Sequence, residues 1–112
     1  MKMEVKEFYN AVIISFVGEV TGGHKNEEFS AALHKFLGEG KKNVVVDLAE
    51  TTYMDSSGIG MLISGYTTMK NGGGSLKLAR LTDKIESLLV ITKLNSIFET
   101  FETVEAATKS FS

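Results

Sequence analysis

One short segment of the chain holds the residues best suited to chemistry, Asp55-Ser56-Ser57-Gly58-Ile59-Gly60. It combines a carboxylate, two hydroxyls and two glycines just before a run with helical spacing. A serine at a helix start normally accepts hydrogen bonds from free backbone N–H groups, and such capping accounts for one serine. It does not account for the glycines, because each costs about 1 kcal/mol relative to alanine inside a helix. Bare backbone here indicates close packing or an incoming group.

A phosphate is a group that this position would stabilise. Free N–H groups and the positive end of the helix dipole favour an anion. A phosphoserine carries about −1.5 to −2 charges at neutral pH. A phosphate on Ser56 would stand beside Asp55, and a partner docked on the unmodified serine would lose a hydrogen bond and meet a dianion. The residue types leave plain capping and a phosphorylation switch both open.

Other kinds of site are weakly supported. Ser56 and Asp55 with His24 or His34 supply the residue types of a serine hydrolase, but no Gly-x-Ser-x-Gly elbow surrounds the serines. Gly58 and Gly60 lack the third glycine of a dinucleotide-binding loop. The chain has no cysteine and two histidines, which argues against thiolate and His-rich metal sites. We therefore expect no catalytic residue, no cofactor and no metal, and we expect that the protein is not an enzyme.

Hydrophobic periodicity predicts the elements that position this segment. Strands are predicted at 5–8, 11–17, 43–48 and 76–81, with a short last strand within 97–101 and a tight turn at Tyr9-Asn10. The β-branched run at 43–48 is typical of a strand covered on both faces. The alternation of leucines with Lys77 and Arg80 predicts that the strand at 76–81 is half-exposed. Helices are predicted at 25–37, from the serines to 69, from 82 or 83 to 89, and at 104–111. Residues 18–23 are interpreted as a glycine-rich break. This order predicts an α/β fold, a mixed β-sheet flanked by about four helices, in a single domain over residues 1–112.

Composition narrows the choice of partners and location. The net charge is −2 and the isoelectric point is about 5.7, so no basic field is present to hold a nucleic acid. Apolar runs are only a few residues long, which predicts no membrane insertion. The first residues show no secretion signal. We expect a cytoplasmic protein.

Two stretches resemble the signature of the STAS superfamily, the sulfate transporter and anti-sigma factor antagonist domain. They are Val44-Val45-Val46-Asp47-Leu48 and Tyr53-Met54-Asp55-Ser56-Ser57-Gly58-Ile59-Gly60-Met61-Leu62. The likeness extends over nearly the whole chain, and the Asp-Ser-Ser-Gly-Ile-Gly segment is its specific part. It implies a single STAS-like domain that acts as a bacterial signalling protein in transcription regulation.

The resemblance also implies a mechanism and partners. Ser56 would be phosphorylated by a serine kinase that is itself the anti-sigma factor. The unphosphorylated form would sequester that kinase and release the sigma factor, and a serine phosphatase would reset the switch.

The predicted switch surface consists of Asp55, Ser56, Ser57, Gly58, Ile59, Gly60 and Thr21. Family members with this switch commonly carry an aspartate directly after a Gly-x-Leu/Ile turn, where this chain has Thr21. Thr21 favours an alternative, a non-phosphorylated STAS scaffold or subunit of a signalling or transporter complex. The complete Asp55-Ser56 pair favours the switch. A small hydrolase is a third and weaker interpretation.

Overall fold

The computed structural model describes residues 1–8, 10–21 and 23–111, and the backbone alone of His24. The predicted turn at Tyr9 and the Gly22 part of the predicted break lie outside the described residues. In chain order the elements are β1 (Lys2–Glu7), β2 (Val12–Val20), α1 (His24–Gly38), β3 (Asn43–Asp47), β4 (Thr51–Met54), α2 (Ser56–Asn71), β5 (Ser75–Ala79), α3 (Asp83–Ile91), a 3₁₀ turn (Leu94–Ser96), β6 (Thr100–Phe101) and α4 (Val104–Lys109).

The strands form one mixed sheet in the order β1-β2-β3-β5-β6, with β4 paired to β2. Strand β1 is antiparallel to β2, and every other pairing is parallel. This arrangement of six strands with four helices confirms the predicted α/β class. None of the helices among the described residues is long and apolar enough to cross a lipid bilayer.

Strand β2 pairs with two strands in succession along the same edge. Its first part pairs with β3, and Gly18–Val20 pairs with β4. The register shifts just after Gly18, whose φ of 96° is readily available to glycine. The Thr51 hydroxyl in β4 donates to the Phe16 carbonyl at 2.8 Å. The prediction of a break from residue 18 was therefore wrong for 18–20, and β4, four residues long, was not predicted.

The two faces of the sheet bury different clusters. Alternate residues of β2 and β3, such as Ile14 and Val46, face a large core shared with α1, α2 and α3. The intervening residues, such as Ile13 and Val45, face a smaller cluster under α4. Val44, Val45 and Val46 are all fully buried, which confirms the prediction of a strand covered on both faces.

Strand β5 differs from its prediction. Its alternation of leucines with Lys77 predicted a half-exposed strand, but it lies inside the sheet between β3 and β6. The Lys77 side chain is only 12% exposed. Its ammonium group lies 4.5 Å from the centre of the Phe111 ring and donates to the Ser110 hydroxyl at 2.8 Å. The chain after β6 therefore covers a lysine that the pattern assigned to solvent.

Candidate functional site

Helix α2 begins at Ser56, and the preceding residue Asp55 is its N-cap. The backbone of Asp55 is extended, and its Oδ1 atom accepts a hydrogen bond from the Gly58 N–H at 2.9 Å. Aspartate in this role satisfies one of the N–H groups that have no acceptor within the helix. The interpretation that a serine caps this helix was wrong, because the carboxylate does so.

Both serines are left on the surface. Ser56 and Ser57 are the first two residues of α2, and both are exposed. Among the described residues no hydrogen-bond partner of the Ser56 hydroxyl is found. Position, exposure and lack of an internal partner make this oxygen available to another molecule.

The two glycines of the first turns have different surroundings. A methyl group at Gly58 would lie 2.4 Å from the Val20 carbonyl oxygen and 2.6 Å from Met54 Cγ. Such contacts are far inside van der Waals distance, so close packing explains Gly58. A methyl group at Gly60 would meet no atom within 4 Å. Gly58 therefore serves the fold, whereas Gly60 leaves bare backbone on an exposed surface.

The carboxyl end of β2 lies beside the helix start. Val20 is the register partner of Met54, and its carbonyl accepts from the Asp55 N–H at 3.3 Å. Thr21 follows directly and is exposed. The structure thus brings Thr21 next to residues 55–60, with which it was predicted to form one surface. Gly58 and Ile59 differ from the other predicted surface residues, because both are buried. Ile59 is only 8% exposed and belongs to the core.

An apolar groove of about 510 Å³ opens beside Ser56. Ser56 and Ile59 of α2 form part of its lining, together with Tyr53 of β4 and with Leu88 and Ile91 of α3. Sequence reasoning missed the groove because it placed Leu88 on a predicted helix with Ile85 and Leu89 without asking which way it faces, and it gave Ile91 no role. The signal was present in three apolar residues at 89–91, too many for the single buried face of a short helix.

A second polar cluster, also unpredicted, joins the carboxyl ends of β3 and β5. Arg80 Nε donates to Asp47 Oδ1 at 3.0 Å, and Arg80 Nη2 donates to Asp47 Oδ2. The Ala49 N–H donates to Oδ1 at 3.2 Å, and the Ser15 hydroxyl lies 3.4 Å from Oδ2. This hydrogen bonding with Asp47 raises the pKa of Arg80 above its usual value. The four groups satisfy one another, which makes the cluster part of the fold.

Among the described residues, no histidine is hydrogen-bonded to Ser56. His34 is exposed on α1, and its Nδ1 atom lies 2.9 Å from the Ser30 carbonyl oxygen. The side chain of His24 lies outside the description. In the part of the chain that the structure describes, no three histidine or carboxylate side chains come together as metal ligands. The arrangement presents a surface hydroxyl beside an apolar groove.

Comparison with known proteins adds four relationships. The profile of the STAS domain family matches residues 2–107. The anti-sigma-B factor antagonist of Bacillus subtilis is 28% identical over 103 residues, which cover 88% of this chain and 89% of that protein. A crystal structure of a Thermotoga maritima protein matches with a TM-score of 0.85 at 21% identity, over 97% of this chain and 93% of that one. The Bacillus cell fate determinant SpoIIAA in the phosphorylated form matches with a TM-score of 0.76 at 18% identity, over 99% and 100%. Both structures share the fold described above.

Proposed function

The chain belongs to the STAS domain family, and we propose that it is an anti-sigma factor antagonist, a binding protein controlled by phosphorylation of Ser56. The observation that carries the proposal is the state of the Ser56 hydroxyl, which is exposed at the start of α2 and has no internal partner among the described residues. The neighbouring carboxylate of Asp55 already serves as the cap. The name of the Bacillus subtilis relative, an anti-sigma-B factor antagonist, supports the same function.

The switch acts through charge and size at one oxygen. When Ser56 is unmodified, an anti-sigma factor docks over the helix start and the hydroxyl hydrogen-bonds to it. That factor is also the kinase. It transfers the γ-phosphoryl group of ATP to Ser56 Oγ, and the hydroxyl proton leaves to a base of the kinase.

Phosphorylation separates the two proteins without unfolding this one. The N–H groups and the dipole at the helix start stabilise the phosphate, so the domain tolerates it. The same dianion stands beside Asp55 and repels a partner that fitted the hydroxyl. A serine phosphatase hydrolyses the phosphoester and restores the binding form.

Phosphate incorporation tests the site assignment. Incubation with the candidate kinase and ATP is expected to add one phosphate, measured by intact mass and peptide mapping. Ser56→Ala is expected to abolish incorporation, because no other hydroxyl occupies that position. Ser57→Ala is the matched control, since Ser57 is the next exposed serine, and it is expected to keep the phosphate. Phosphate on Ser57 or Thr21 would show that the assignment is wrong.

Binding to the anti-sigma factor tests the switch itself. Ser56→Asp places a negative charge where the hydroxyl stood, and we expect the dissociation constant to rise about tenfold or more. Isothermal titration calorimetry measures it, with circular dichroism to verify the fold. Ser57→Asp adds the same charge one residue away and is expected to have a smaller effect. Equal affinities for wild type and Ser56→Asp would contradict the switch.

Thr21 favours one second candidate, a scaffold that binds its partner without being phosphorylated. The residue lies beside the helix start, at the place where the family resemblance implies a carboxylate. A scaffold would bind its partner equally well with serine, alanine or aspartate at position 56. The two experiments above therefore separate the candidates.

A further inference from the structure

We infer that the free edge of β1 binds a second copy of this chain, in one antiparallel register centred on Val5. Two domains paired in this way share one continuous sheet. The inference is independent of the proposed function, because β1 pairs with one edge of β2, whereas β4, which leads into α2, pairs with the other edge. A second copy at β1 thus lies across β2 from the start of α2.

Strand β1 is a regular strand at the end of the sheet. In the described part of the chain it pairs with β2 alone, through six consecutive register pairs. Five of its six residues are exposed, and Met3 is half-buried. Proteins commonly block such an edge with proline or a bulge, because its free N–H and C=O groups attract other strands. Strand β1 contains neither, so its outer backbone groups are free to pair.

The hydrogen bonds with β2 determine which groups of β1 point outward. The Phe8 N–H, just beyond the end of β1, donates to the Ala11 carbonyl at 2.8 Å. In an antiparallel pair, every second residue of a strand is hydrogen-bonded to the same neighbour. The backbone groups of Met3, Val5 and Glu7 therefore point away from β2 and form the free edge.

Charge selects the register in which two copies pair. When Val5 lies opposite Val5 of the second copy, Glu4 lies opposite Lys6 of that copy, and Lys6 lies opposite its Glu4. These are positions without hydrogen bonds to the second copy, where facing side chains come closest. The same register places Met3 opposite Glu7, so that three residues of each copy exchange backbone hydrogen bonds. Two ion pairs and a complete ladder thus coincide in one register.

Other registers are less favourable. A shift by two residues places either Glu4 opposite Glu4 or Lys6 opposite Lys6, and like charges directly opposite each other destabilise a strand pair. It also reduces the hydrogen-bonded residues of each β1 from three to two. A shift by one residue sets outward backbone groups against inward ones. The charges that usually protect an edge therefore restrict this one to a single register.

The side chains at the centre of this register are available for the contact. Val5 is 41% exposed and is the register partner of Ile14, which belongs to the large core. Two valines brought together at the centre extend the apolar face of the sheet. The Glu4 carboxylate lies 3.6 Å from the Lys2 ammonium group, but both side chains are exposed, and such pairs contribute little. Glu4 can therefore turn to Lys6 of the second copy.

The length of β1 limits the strength of the dimer. Six residues extend over about 20 Å, and one strand pair covers less than the roughly 800 Å² per partner of a stable complex. We therefore expect a weak dimer, with a dissociation constant on the order of 100 μM.

Charge reversal tests the register, with the full-length chain in sedimentation equilibrium at low salt, where charge pairs are least screened. Glu4→Lys and Lys6→Glu each place like charges at both pairs, and we expect the dissociation constant to rise about tenfold. The double variant restores both opposite-charge pairs and is expected to return to within about threefold of wild type. Glu102→Lys is the matched control, because it makes the same charge change at an exposed acid beside β6, the opposite edge of the sheet. We expect it to change the dissociation constant less than about twofold.

A backbone change tests the hydrogen bonds. The Val5 N–H points away from β2, so Val5→Pro removes no hydrogen bond within the domain, and an edge strand accepts proline at such a position. We expect circular dichroism to show a folded domain and sedimentation to show a monomer.

Three results would overturn the inference. Wild type that remains a monomer at about 1 mM would show that β1 does not bind a second copy. A dimer in which Glu4→Lys and Glu102→Lys behave alike, or which the double variant does not restore, would show that the contact uses another register or surface. A dimer that persists in folded Val5→Pro would show the same. None of these results bears on phosphorylation of Ser56, which the experiments above test separately.

Discussion

Two aspartates in this domain have opposite surroundings. Asp47, at the end of β3, is buried, and its two oxygens are engaged by Arg80, by the Ala49 N–H and, at 3.4 Å, by Ser15. Asp55, before α2, is half-buried, and its carboxylate accepts one hydrogen bond, from the Gly58 N–H. The hydroxyl beside it has no internal partner among the described residues.

The contrast separates polar groups that hold the fold from groups that meet other molecules. Buried polar atoms in proteins are almost always satisfied internally, because an unsatisfied one costs about 1–3 kcal/mol. The Asp47 cluster follows that rule. Arg80, which belongs to this cluster, has a left-handed backbone with φ 54°, which arginine adopts at a cost. The start of α2 keeps its inner side packed and its outer side unengaged, as a docking surface requires.

The largest expected effect comes from the packed side of the switch. Gly58→Ala places a methyl group against the Val20 carbonyl and Met54, and we expect it to lower the free energy of unfolding by about 3 kcal/mol. Urea denaturation followed by circular dichroism measures this. If the free energy of unfolding falls by less than about 1 kcal/mol, the start of α2 can shift to accommodate the methyl group. The distinction between a packed inner side and a free outer side of this helix start would then be wrong.

The Asp47 cluster is expected to give the next largest effect. Asp47→Ala removes both acceptors of Arg80, and the free energy of unfolding is expected to fall by about 2 kcal/mol. The loss is smaller than for a fully buried pair because the Arg80 side chain is 49% exposed and can turn to water. Glu50→Ala, at an exposed acid nearby, is the control, with an expected change within about 0.5 kcal/mol. Partner affinity of folded Asp47→Ala should stay at the wild-type value, and a large loss would show that the cluster also takes part in binding.

The smallest effect on stability is expected at the second glycine. Gly60→Ala meets open space in the second turn of α2, so thermal unfolding is expected to show a gain of up to about 1 kcal/mol. The added methyl group lies on the proposed docking surface and is expected to weaken binding of the anti-sigma factor. Unchanged affinity would remove Gly60 from that surface, and lowered stability would contradict its open environment.

The chemistry of the switch segment could be predicted from the sequence, but its geometry could not. The glycines predicted either close packing or an incoming group, without assigning one to each. The assignment depends on Val20, which lies 38 positions before Gly58 and meets it only because β2 pairs with β4. Asp55 and the serines compete for the capping role at adjacent positions, and only backbone geometry decides between them.

Local pattern failed where an element depends on a distant partner. Four residues are too few to show a period, so β4 became visible only through its pairing with β2. The charge of Lys77 indicated an exposed face of β5, because a short sequence window does not contain Phe111, whose ring packs over the Lys77 ammonium group.

The sequence by itself determined the order of the main elements, the mixed α/β class and the placement of Ser56 at a helix start. These follow from hydrophobic spacing and residue chemistry within short windows. The tertiary structure alone decided that Asp55 caps the helix, that Gly58 is packed and Gly60 open, and that Asp47 pairs with Arg80. It also formed the groove, because the groove exists only where β4, α2 and α3 meet. Each of these depends on atoms far apart in the chain, whose approach is set by strand pairing and core packing.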